Sequence, residues 1–162
     1  MLVLAPLALG GCDRVVPSAE TFVAKPEVQA LTITGAIVAA VNRGDAAQVS
    51  ASNAPDYELY SHGYPNVVGP EDALASNTAL LKDEAITFAI DNVRTEVSQD
   101  GDMVVLTADY DWTYTDSVSG EVVAEQGNWV LIFKRQSDGQ LKVWREIASD
   151  TAPAQSPAAA GS

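Results

Sequence analysis

Two periodicities divide the chain. Between Glu27 and Asn42 the apolar residues Val28, Leu31, Ile37, Val38 and Val41 recur at helical spacing, which predicts a helix with one face on the core. Pro26 suits its first turn, and Gly44 closes it in the left-handed conformation. Asp45 caps a short second helix over 46–51, "DYELYS" from Asp56 reads as a first strand, and a third helix runs from Pro70 to about Lys82. From Ala85 to Ser149 the period drops to two. That stretch is four long strands joined at "QDGD", "SVSG" and "SDGQ".

A register follows from requiring one apolar face. A turn at Asp100-Gly101 sets Val97, Thr95 and Val93 opposite Val104, Leu106 and Ala108. Ile86, Phe88 and Ile90 alternate one residue out of phase with Val93, so a bulge near Asp91-Asn92 is needed to bring them opposite Tyr114, Trp112 and Tyr110. Across "SVSG", pairing Asp116 with Glu121 extends the same face through Val123, Glu125, Gly127, Trp129, Leu131 and Phe133. For the last hairpin, a two-residue turn would turn Lys142 and Glu146 inward, whereas a three-residue loop turns Leu141, Val143, Arg145 and Ile147 inward; the second is the more apolar choice.

The result is a bent antiparallel sheet with an aromatic concave face bearing two charges. Phe88, Tyr110, Trp112, Tyr114, Glu125, Trp129 and Arg145 are therefore the expected pocket residues. Glu125 and Arg145 would lie roughly 20 Å apart along the strands, too far to neutralise one another. Each must meet a helix residue, water or a ligand. Val105, Val130, Ile132 and Trp144 fall on the opposite face among polar residues, a mixture suited to a homodimer interface.

Composition narrows the partners. With 9 basic and 22 acidic residues the net charge is −13, which repels nucleic acid and anionic headgroups. Asp109 and Asp111 share a face about 7 Å apart, but beside Thr107 and Thr113 they read as solvated surface. The single histidine, His62 in "SHGYP", is the candidate general base. One imidazole and one thiol do not make a zinc site, and no phosphate-binding glycine loop or nucleophile elbow is present, so neither metal nor cofactor is expected.

The only cysteine, Cys12, stands directly behind the apolar run "LVLAPLALGG". That run is about half the length of a membrane span. Leu9-Gly10-Gly11-Cys12 resembles the lipobox of bacterial lipoproteins, which implies cleavage before Cys12, acylation of its thiol and a lipid-anchored, periplasm-facing place in the bacterial cell envelope. The expected organisation is a signal segment over 1–11, a tether over 12–25, a domain over 26–149 and a disordered tail over 150–162.

The succession of a helix, "NRGDAAQV", "APDYELYSHG", "VVGPEDAL" and long strands ending in "VLIFKRQSDGQLKVWREIAS" resembles the SnoaL-like, nuclear transport factor 2-like superfamily from about Glu27 to Ser149. The resemblance implies an α+β, cystatin-like cone: three N-terminal helices on a strongly bent, mainly antiparallel sheet, with a pocket between them and often a homodimer through the outer face. In ketosteroid isomerase, a related member, a carboxylate base lies at the end of the first strand; that place falls on Ser61 or His62, neither of them a carboxylate. Function does not follow from such a fold. The first expectation is a tethered module that binds a small, largely apolar molecule without catalysis. The alternatives are an isomerase or dehydratase using His62 with a Tyr, and a dimeric protein-interaction scaffold.

Overall fold

The computed structural model describes residues 24–151; Cys12, the signal segment, most of the tether and the tail from 152 lie outside the described residues. The elements are α1 (Pro26–Val41), α2 (Ala46–Ala51), β1 (Asn53–Ser61), β2 (Val67–Val68), α3 (Gly69–Leu80), β3 (Thr87–Val97), β4 (Met103–Thr115), β5 (Val122–Arg135) and β6 (Leu141–Asp150). The strands form one mixed sheet in the order β2-β1-β6-β5-β4-β3. Only the β1–β6 pair is parallel, and it is what places α3, which follows β1 and β2, over the same sheet face as α1.

Helix α1 begins at Pro26 and buries Ala30, Thr34, Ile37 and Val41. Val28 and Leu31, expected on the core face, remain nearly half exposed. The helix turns its smaller residues to the sheet because Ala30 and Thr34 allow a closer approach, and the Thr34 hydroxyl is satisfied within the helix by donating to the Ala30 carbonyl at 2.8 Å. Beyond the helix end, the Asn42 side chain accepts from Phe88 N at 2.9 Å and donates to Phe88 O at 2.7 Å, fastening α1 to strand β3. Gly44 takes φ +70°, and Asp45 caps α2 by accepting from Gln48 N at 3.0 Å.

The core lies between the helices and one face of the sheet, where Val104, Leu106, Leu131, Phe133 and Val143 are essentially inaccessible. The β4–β5 pairing follows the expected register throughout, from Val104 opposite Phe133 to Tyr114 opposite Val123. Strands β3 and β4 shift register between Asp91 and Arg94, with Asn92 at φ +48°, so Phe88 meets Trp112 and Ile90 meets Tyr110.

The last hairpin departs from expectation. Its loop gives Phe133 opposite Val143 as anticipated, but the register then shifts so that Ile132 meets Arg145 and Leu131 meets Glu146. Trp144 is the extra residue of a second bulge. Downstream of it the alternation reverses, turning Glu146 and Ala148 to the helix-covered face and Arg145 and Ile147 to the outer one. Strand β6 continues to Asp150, and Thr151 N still donates to Gln126 O at 2.9 Å, so ordered pairing runs slightly past Ser149.

Candidate functional site

A cavity of about 450 Å³ separates the helices from the sheet. Helix α1 contributes Ile37 and Val41, and α3 contributes Leu80 and Asn77. The opposite wall is aromatic. Phe88 is its hub, with ring centres 5.1 Å from Trp112 and 5.2 Å from Trp129, both edge-on, and 6.1 Å from Tyr110. Because both backbone polar groups of Phe88 are held by Asn42, this hub is fixed from the main chain as well as by packing.

Two carboxylates enter the cavity, one from each end of the wall. Glu125 on β5 accepts hydrogen bonds from the hydroxyls of Tyr110 and, at 3.3 Å, Tyr114. Tyr110 reaches it only because position 127 is glycine: a Cβ there would lie 2.5 Å from the Tyr110 ring and 2.3 Å from Ser149 O. Glu146 on β6 accepts from the Tyr57 hydroxyl at 2.5 Å and from Trp129 Nε1 at 2.8 Å. Tyr57 and Trp129 are each 3% exposed, so Glu146 forms the floor while Glu125 belongs to the outer half, on the side of the exposed Tyr64.

Burial drives the electrostatics here. Removal from water pushes the Glu146 carboxyl up from its ordinary range, and the bonds from Tyr57 and Trp129 only partly oppose this. The Tyr57 phenol is held far above its usual value, first by burial and then by the charge and hydrogen bond of Glu146. Burial followed by the hydrogen bond to Glu125 does the same to Tyr110, and burial followed by the Glu125 charge raises Tyr114. All three phenols therefore remain donors across the physiological range.

Of the residues expected to form the pocket, Phe88, Tyr110, Trp112, Tyr114, Glu125 and Trp129 line this cavity. Arg145 does not. The β6 bulge turns it outward, where its guanidinium stacks 4.1 Å over the Trp144 ring, donates to Asp56 O at 2.6 Å and pairs with Glu58 at 3.5 Å. His62 is also away from the cavity wall, with a side chain 75% exposed and Nδ1 3.0 Å from an Asp150 oxygen. Asp109 and Asp111 accept from Asn92 at 2.7 Å and Gln126 at 2.6 Å on the outer face.

Sequence reasoning missed Glu146 and Tyr57. The signal for Glu146 was the rejected register of the last hairpin. Ile147 inward was preferred as the more apolar choice, and only the Tyr57 and Trp129 donors, on two other strands, make the acid tolerable.

A family of SnoaL-like domains matches residues 35–144, from the middle of α1 into β6. The chain belongs to that family. No curated protein shows significant sequence similarity to it. Among solved structures this SnoaL-like domain is similar to a ketosteroid isomerase-like protein from Erwinia carotovora atroseptica, at 20% identity and a TM-score of 0.64 over 78% of this chain and 96% of that one. It is also similar to a hexachlorocyclohexane dehydrochlorinase from Novosphingobium barchaimii, at 15% identity and a TM-score of 0.68 over 78% and 86%. An NTF2-like protein with a cystatin-like fold from Novosphingobium aromaticivorans gives 16% identity and a TM-score of 0.64 over 79% and 83%. At these identities the likeness is one of fold.

Proposed function

We propose that this protein is a binding module of a bacterial cell envelope, whose SnoaL-like domain holds one small, largely apolar, neutral-to-cationic molecule without turning it over. The observation that carries the reading is the cavity wall itself, in which aromatic rings surround carboxylates while the chain's one histidine stands elsewhere. Ring faces and carboxylates attract the same charge, so an amine or hydrogen-bond donor on an apolar body suits the site. Glu125 orients the ligand and Trp112 and Trp129 seat it. The protein as purified from its host should show, in native mass spectrometry, a bound small molecule beyond the chain and its acyl groups. Apolar amines should quench tryptophan fluorescence, and Glu125→Gln should weaken them far more than neutral analogues of equal size. A bare mass together with unchanged fluorescence would count against the reading.

The anchor and the assembly belong to the same proposal. Acyl chains on Cys12, each buried methylene contributing roughly 0.8 kcal/mol, hold the domain at the periplasmic side of a membrane, and Cys12→Ser releases it to the soluble fraction. Two copies meet through the outer sheet face around Val105, Val130, Ile132 and Trp144. Trp144→Glu should then sediment as a monomer where the wild type sediments as a dimer.

An acid–base enzyme of the isomerase or dehydratase kind is the second reading, and Glu146 favours it. A partly buried carboxyl with a raised proton affinity, bonded to a Tyr hydroxyl in the cavity wall, has the position that His62 lacks.

A further inference from the structure

We propose that the cavity takes an aliphatic diamine or polyamine, one ammonium on Glu125, the other on Glu146, and the methylene chain laid along Trp129 and Phe88. This rests on the binding reading above and names its ligand class.

The charges come first. Both acidic side chains that line the cavity are glutamates, and no Lys, Arg or His stands among its lining residues. Each of the four carboxylate oxygens accepts one hydrogen bond, from Tyr110 and Tyr114 at Glu125 and from Tyr57 and Trp129 at Glu146. A carboxylate has about four acceptor sites, so these protein donors orient each acid and leave about half its accepting capacity for a ligand. A carboxylate partly withdrawn from water with hydrogen bonds but no cation beside it is costly, and a ligand cation offsets that cost.

Spacing then selects the length. Glu125 pairs with Trp112, and Glu146 pairs with Leu131, six residues further along β5, a Cα separation of roughly 20 Å along the strand. The donors that hold the acids are rooted between them in register, Tyr110 opposite Gly127 for Glu125 and Trp129 for Glu146, so the gap a ligand has to bridge is shorter than that Cα separation. A single ammonium reaches one acid only. A chain of about eight methylenes reaches both, and the edge-on cluster of Phe88 and Trp129 supplies apolar surface between them.

Binding is coupled to a proton. Burial favours the protonated Glu146 in the empty cavity, and an arriving ammonium stabilises the carboxylate instead, so a proton leaves as the diamine enters and affinity rises with pH through that transition. The other titratable groups facing the cavity are Tyr57 on β1, Tyr64 after it, Tyr110 and Tyr114 on β4, and Glu125 on β5; the three helices contribute none.

The test titrates the full-length protein at physiological salt, where exposed acids are screened, with diaminooctane, putrescine, octylamine and octanol, following tryptophan fluorescence and calorimetry in two buffers of different ionisation heat. Diaminooctane should bind at least tenfold more tightly than octylamine or the shorter putrescine and release protons. Glu146→Gln should bring diaminooctane down to the affinity of octylamine and abolish the proton release. Equal affinity of diaminooctane and octylamine for the wild type overturns the diamine assignment, whatever the folding of the variant, and leaves the apolar-ligand reading standing. No response to any of the four overturns both.

Discussion

Two tryptophans on neighbouring strands, Trp129 and Trp144, each donate an indole N–H to a carboxylate, yet their surroundings differ in one respect. On the outer face Trp144 Nε1 bonds Asp56 at 2.9 Å while Arg145 and Lys134 lie over its ring at 4.1 and 4.9 Å. On the helix-covered face Trp129 Nε1 bonds Glu146 at 2.8 Å, and its ring meets Phe88 with no cation among the residues lining the cavity. The outer pair is completed by the chain's own cations. The inner pair has the same acceptor and the same ring face, with room for a cation from elsewhere. The two sites differ because a single extra residue in β6, Trp144 itself, sends Arg145 out and Glu146 in.

The sharpest way to break this contrast is at Gly127. Alanine there would press on the Tyr110 ring and on Ser149 O at distances that real Cβ atoms do not tolerate, and neither the rigid ring nor the β6 backbone yields easily. Gly127→Ala is expected to cost about 3 kcal/mol in denaturant unfolding and to displace Tyr110 from Glu125, weakening amine binding in whatever fraction folds.

A smaller effect comes from pH at the inner site. Because the Glu146 carboxyl is raised in the folded protein, the folded state binds its proton more tightly than the unfolded chain does. Its contribution to stability is present in full below the unfolded Glu range and is lost as pH rises through the folded pKa. Glu146→Gln, which cannot ionise, should therefore gain on the wild type steadily over that interval in unfolding experiments across pH. A constant difference between the two would mean that Glu146 is charged in the empty cavity.

Least affected should be the outer site. Arg145 and Glu58 are a partly exposed pair at 3.5 Å, so Arg145→Ala should change stability by no more than about 1 kcal/mol and leave ligand affinity unmoved. A large loss of affinity in this variant would show that the two faces are coupled through the β6 bulge.

The pattern of apolar residues was enough for the β4–β5 register and for the bulge at Asp91-Asn92, since each had one solution that kept a continuous apolar face. Most of the aromatic wall was readable for the same reason. The β6 bulge was not, because alternation favours burying Ile147 over Glu146 and takes no account of donors on distant strands. The exposed side of α1 was misjudged similarly: helical spacing shows that a face exists, while the closeness of the sheet decides that Ala30 and Thr34 occupy it in place of Val28 and Leu31.

The Asn42 clamp has a consequence outside the cavity. Strand β3 is the last in the sheet, and an edge strand offers its free N–H and C=O groups to any extended chain that passes. At Phe88 both groups are already taken by one side-chain amide, which copies the bonding of a neighbouring strand in a single residue. Ladder growth across this point would have to displace the amide, and four residues on, the Asn92 kink interrupts the edge again. At the opposite border the final strand, β2, is only two residues long. The sheet thus ends on both sides in ways that resist self-association through the backbone, a safeguard against aggregation for a domain whose interior is lined with aromatic rings.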